Sequence, residues 1–157
     1  MLVPYQTLSD TARVWIYQSN RLLDKQECAE IDLALSAFAE EWVSHGNPVK
    51  AFAEVKHACF IVLLADTDTS GCSIDSSTRL VKSIEQQYGI RLFDRMQLAY
   101  RTASNTPVAF AAPASIAQQL KNGQLPPEAR VFDNTIQTKS ELEQKWEVPF
   151  EASWAGR

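Results

Sequence analysis

The segment Thr69-Ser-Gly-Cys-Ser-Ile-Asp-Ser-Ser-Thr78 puts one thiol among six hydroxyl side chains, where an apolar run gives way to a helical pattern. A helix N-terminus presents unpaired N–H groups and a partial positive charge, which stabilise an anion or a thiolate. Cys72 there is a candidate nucleophile or redox sensor, and Ser70, Gly71, Ser73 and Asp75 are candidate ligands for a small anion such as phosphate. The plainer assignment gives Gly71 to the turn, Ser73 or Asp75 to the helix cap, and Cys72 to the interior. The lack of a histidine base close in sequence favours that assignment.

A second polar group, Tyr17-Gln-Ser-Asn-Arg21, closes the first strand-like run. Arg21 has the planar fork that grips a carboxylate or phosphate with two bonds, and Tyr17, Ser19 and Asn20 could line the same site. Against this stands a strand exit held by Ser19 and Asn20, with Arg21 in a surface ion pair. Two metal readings are weaker. Asp66-Thr-Asp-Thr-Ser-Gly71 echoes the start of a calcium loop, but position 12 is Ser77 instead of Glu. His57 and Cys59 would share one strand face and, with Cys72 or His45, approach a zinc set, yet no second ligand pair accompanies them. No metal and no cofactor is expected.

The elements that must position these residues follow from patterning. Arg13–Gln18 is dense in β-branched and aromatic residues and reads as a strand. Asp24 with Glu27 has capping-box spacing. Ile31, Leu35, Phe38 and Trp42 then recur at helical intervals, and Gly46 and Pro48 stop the helix. Val49, Ala51, Ala53 and Val55 alternate with polar neighbours as an edge strand, whereas residues 59–65 are apolar on both faces, as a central strand must be. A second helix carries Ile74, Val81, Ile84 and Tyr88 and ends at Gly89. Met96, Leu98 and Tyr100 form a fourth strand, with residues 108–111 able to pair back onto it.

This order, β-α-β-β-α-β, predicts an α+β fold with a ferredoxin-like sheet. The chain reads as one globular domain, with a core over 12–111 and a helical C-terminal extension over 112–157. In the extension, Pro113–Lys121 forms a helix closed by Gly123, and Ser140 with Glu143 predicts a second capping box. Trp146, Phe150 and Trp154 are too costly to leave in water, at about 1.5–3 kcal/mol for each large side chain. The extension is therefore expected to cover the sheet face that the two main helices leave bare, with a homodimer through that face as the rival.

Composition sets the outer limits. The 157 residues carry a net charge of −4 and are 45% apolar and 22% charged, as a folded domain is. The charge argues against nucleic acid as a partner. The most apolar window, 58–65, is far short of the roughly 20 residues that cross a bilayer. Three cysteines without CxxC spacing, and no basic-then-apolar leader, lead us to expect free thiols in a reducing cytoplasm.

Trp15-Ile-Tyr-Gln-Ser-Asn-Arg21, Gly71-Cys-Ser-Ile-Asp75 and Trp146-Glu-Val-Pro149 with Ser153-Trp154 occur in an order that resembles a small Bacteroidetes family commonly labelled "ABC transporter ATPase". The resemblance runs from Val3-Pro4 to Trp154, and Val131–Ile136 departs from the family's Phe-Asn-Asn pattern. What it implies is a nucleotide-related function, but through the label alone. A phosphate-cradling loop needs Gly, four residues, then Gly-Lys-Ser/Thr, and none of the five glycines (46, 71, 89, 123, 156) is followed by Lys. The expectation is therefore a non-catalytic, cytoplasmic module that binds a small anionic ligand or a protein partner. A small thiol-dependent enzyme or redox-responsive protein using Cys72 is the alternative.

Overall fold

The computed structural model describes residues 1–66 and 71–157, and the side chains of all of these except 71–73. Strand β1 (Arg13–Gln18) leads to helix α1 (Lys25–Glu41), whose first turn is closed by the predicted box. The Asp24 carboxylate accepts from the Glu27 N–H, and the Glu27 carboxylate accepts from the Asp24 N–H. A two-residue hairpin, β2 (Val43–Ser44) with β3 (Asn47–Pro48), turns through His45 and Gly46, both at positive φ. Strands β4 (Ala51–Lys56) and β5 (Phe60–Ala65) then form a hairpin.

These strands form an antiparallel sheet in the order β1-β5-β4. The central place of β5 and the edge place of β4 are as the patterning requires, and every residue of β5 is buried. Helix α2 (Gly71–Tyr88) follows and ends in a Schellman turn, where Gly89 at φ 62° lets the Ile90 N–H reach Glu85 O. Because α2 already begins at Gly71, Ser73 and Asp75 lie inside the helix; neither is its cap.

A sheet two-sided in pattern needs two covers, and the structure provides them. On one face, Ile61, Leu63, Ala51 and Ala53 pack with Ile31, Leu35 and Ala39 of α1 and with Val81 and Ile84 of α2. On the other, Phe60, Val62, Leu64, Val14 and Ile16 meet Ala99, Phe132, Ile136, Leu142 and Trp146. The C-terminal part of the chain therefore covers the bare face, as expected. A homodimer through that face is not what buries it.

The second layer begins earlier than residue 112. Strands β6 (Leu98–Arg101) and β7 (Ala109–Ala111) pair as read, and helix α3 (Pro113–Lys121) follows. Then β8 (Arg130–Phe132), helix α4 (Lys139–Lys145) and β9 (Glu147–Pro149) complete a four-stranded sheet ordered β7-β6-β8-β9. The predicted fourth strand thus pairs with β7 and β8, not with β1, so the four-strand ferredoxin sheet is not completed. Met96, outside this strand, is exposed. The second capping box is displaced as well. Thr138 caps α4 by accepting from the Glu141 N–H, while Glu141 reaches back to the Gln137 N–H. Glu143 instead accepts from the Tyr5 hydroxyl.

Candidate functional site

The departure of β6 leaves an opening. Beside β1, where a fourth strand would lie, runs a cleft of about 700 Å³, within the usual range for ligand sites. One wall is the segment from Leu92 to Leu98, which follows α2. The other is Phe132 with Asn134–Gln137, and Trp154 stands at the rim, 41% exposed. The floor is the length of β1 itself.

The walls are tied to β1 through side chains. The Phe93 ring meets Tyr17 edge-on at 5.3 Å. The buried Gln18 amide donates to Gln97 O at 3.0 Å and accepts from the Asn134 amide at 3.0 Å. Asn134 in turn accepts from the Trp146 indole N–H at 2.9 Å. This relay fixes the orientation of both amides and props the two walls at a set distance. Burial raises the Tyr17 phenol above its usual range, opposed by hydrogen bonds to Thr78 and Ser77 and by the nearby charge of Arg95. Its hydroxyl therefore stays protonated at neutral pH.

The charge of the cleft is cationic. Arg13 and Arg95 are exposed and, among the described residues, in no ion pair. Arg13 lies 5.3 Å from the centre of the Trp15 ring. Asp94, the acid in the lining, turns its carboxylate to the Met96 N–H.

Of the residues singled out from sequence, Tyr17 reaches this cleft and its neighbours do not. Ser19 is fully buried, with its N–H on Cys59 O and its hydroxyl accepting from the Arg21 N–H. Asn20 accepts from the Arg91 N–H. Arg21 makes a two-bond pair with Glu27, at 2.9 and 2.8 Å, and donates to Tyr88 O. That pairing and the Asp24 N–H hold the Glu27 carboxyl down to about 2. Asn20 and Arg21 therefore fasten the strand exit to the C-terminal end of α2, and Ser19 fastens it to the β4–β5 turn.

The Gly71–Asp75 group begins the same helix at its other end, about 27 Å away for 18 residues. The two polar groups do not form one site. Ser70 and the side chains of Cys72 and Ser73 lie outside the described residues, and Asp75 is exposed. Asp66 accepts from both the N–H and the hydroxyl of Ser9.

His57 and Cys59 do not share a strand face. With Ala58 they form the β4–β5 turn, where His57 and Ala58 hold φ of 53° and 58°. Cys59 is buried, and burial pushes its thiol up to about 12. The His57 ring lies 5.3 Å from Phe132 and 5.6 Å from Trp146, centre to centre. Among the described residues no three His, Cys, Asp or Glu side chains gather as a metal set, and no helix is long and apolar enough to cross a membrane.

Patterning pointed to the two polar ends of the helical layer and missed the cleft walls. Phe93 with Arg95, Ile136, and Trp154 come from three separate stretches, and their meeting depends on where β6 pairs. Trp154, expected from its type to be covered, is instead 41% exposed at the rim. The chain matches no protein-family model, no curated protein and no solved structure.

Proposed function

We propose that the protein is a non-catalytic binding module whose ligand site is the cleft beside β1. The observation that carries this reading is a cleft of ligand size, lined by both apolar and polar side chains, with two exposed guanidinium groups that, among the described residues, are in no ion pair. Phe93, Ile136 and Trp154 offer an apolar body contact, and Arg13 and Arg95 offer anion contacts. The ligand is an anionic molecule with an apolar portion. The fold around it is best described as the first three strands of a ferredoxin-like sheet with an added second layer, and the working compartment as the cytoplasm. The label carried by the resembling family brings no nucleotide loop with it.

A thermal-shift screen tests the reading, using aromatic carboxylates, phosphorylated small molecules, inorganic phosphate and Mg-ATP. A ligand at 100 times its dissociation constant adds about 2.7 kcal/mol to stability, a clear rise in melting temperature. The expected result is a shift from an anion with an apolar body, abolished by Arg95→Glu without change in the unliganded melt. A shift that Arg95→Glu and Arg13→Glu both leave intact overturns it, as does the absence of any shift from this panel extended to acidic peptides.

A further inference from the structure

The backbone of β1 says more about the occupant than its side chains do. Away from β5, the Val14 N–H donates to Gln137 O and Ala12 O accepts from the Lys139 N–H. Toward the hairpin, the Ser19 N–H donates to Cys59 O. Backbone groups alternate in direction along an extended strand, so the N–H and C=O of Ile16 and the N–H of Gln18 point into the cleft. Among the described residues, no hydrogen bond engages them.

The opposite edge of the sheet is managed differently. On β4, Ala51 is taken by Met1 O and the Val3 N–H, and the Val55 N–H by the Asp32 carboxylate at 2.7 Å. On β4 the two ends are therefore taken and the Ala53 backbone between them has no partner among the described residues, whereas on β1 the free stretch is Ile16 to Gln18 and is recessed in the cleft. Recessing an edge shields it from indiscriminate pairing and leaves it free for a chosen strand.

We propose that the cleft takes an extended acidic peptide segment of a partner protein, which adds to the free edge of β1 as a further strand. This rests on the cleft being the ligand site. Strand addition supplies affinity through main-chain bonds and specificity through alternate side chains. One face of the added strand meets the wall of Phe132 and Ile136, with Trp154 at its rim, and the other face meets the wall that carries Phe93 and Arg95. Its acidic side chains meet Arg13 and Arg95, two guanidinium groups that outnumber the single lining acid, Asp94.

The probes are end-blocked heptapeptides of alternating valine and glutamate, the same peptide with lysine for glutamate, and two forms N-methylated on alternate residues in either phase. Amide exchange followed by NMR is expected to slow tenfold or more at Ile16 and Gln18 on adding the glutamate peptide. Trp15 and Tyr17, whose amides already face β5, stay unchanged. Affinity is expected to drop at least tenfold for the lysine peptide, for one N-methylated phase, and for the Arg13→Glu/Arg95→Glu double variant, whose unliganded melt serves as the control for folding.

Equal binding by both N-methylated phases overturns strand addition. So does a cleft that takes small anions but no peptide, and in that case the binding-module reading stands. Slowing of the same amides with protein concentration and no peptide overturns the proposal in favour of a second copy of the chain. Binding of neither peptide nor small anion overturns both readings.

Discussion

His57 and Ala58 hold consecutive left-handed backbone angles without a glycine between them. A left-handed residue with a Cβ costs roughly 1–2 kcal/mol, and the turn persists because its surroundings fix it. The Leu23 N–H donates to Ala58 O, and the Ser19 N–H to Cys59 O. Ala58→Gly should relieve that strain and stabilise the protein by about 0.5–1 kcal/mol after the greater freedom of glycine in the unfolded chain is counted; urea melts measure it. His57 adds a pH dependence. Burial lowers its basicity, as does the charge of Arg101, with Glu147 opposing and Lys56 adding. A histidine with a lowered folded value binds protons better when unfolded, so its contribution is complete above about pH 6.5 and is lost as pH falls. Stability should decline from pH 7 to 5, and His57→Asn, which keeps the left-handed angle accessible, should flatten that slope in denaturant melts. None of this was visible in the sequence, where His57 and Cys59 continue the alternation of the strand before them. A turn built without Gly, Asn or Asp gives no local signal.

At the scale of elements, the sequence was most informative where the stabilising physics is local. The Asp24–Glu27 box, the Gly89 stop and the two-sided β5 were all legible, because caps and periodicity act within a few residues. Asp24→Ala should cost about 1 kcal/mol, read from the thermal midpoint. The neighbouring Glu27 carboxyl is held down to about 2, so its share is present above about pH 4.3 and vanishes as pH falls toward 2. Acid melts of Glu27→Gln should therefore converge with those of the unaltered chain. The fourth strand was found, but its mate was not. Leu98–Arg101 alternates equally well for either neighbour, and the choice of β8 over β1 is made by contacts 30 residues apart. The second box slipped for the opposite reason. Ser140-x-x-Glu143 and Thr138-x-x-Glu141 overlap, and the Thr138–Arg13 bridge decides between them.

For the whole molecule, the decisive feature is that β5 serves both cores, with odd residues on the helical side and even residues on the other. Layers that share a central strand cannot come apart separately, so near-ultraviolet circular dichroism and tryptophan fluorescence should report one coincident unfolding transition. A chain ending at residue 129 lacks Phe132, Leu142 and Trp146. It should lose cooperative unfolding and bind a hydrophobic dye, as the face bearing Phe60, Val62 and Leu64 opens to solvent. That shared wall also sets an order of events during synthesis. Ribosomes extend chains at about 5–20 residues per second, so the β1-β5-β4 sheet is finished several seconds before Trp146 exists to cover it. Through that interval the nascent chain displays an apolar sheet face of the kind that chaperones hold and that neighbouring nascent chains stick to. A slow codon run before residue 130 would lengthen the exposure, and the yield of folded protein should then depend on the pace of translation as well as on the sequence translated.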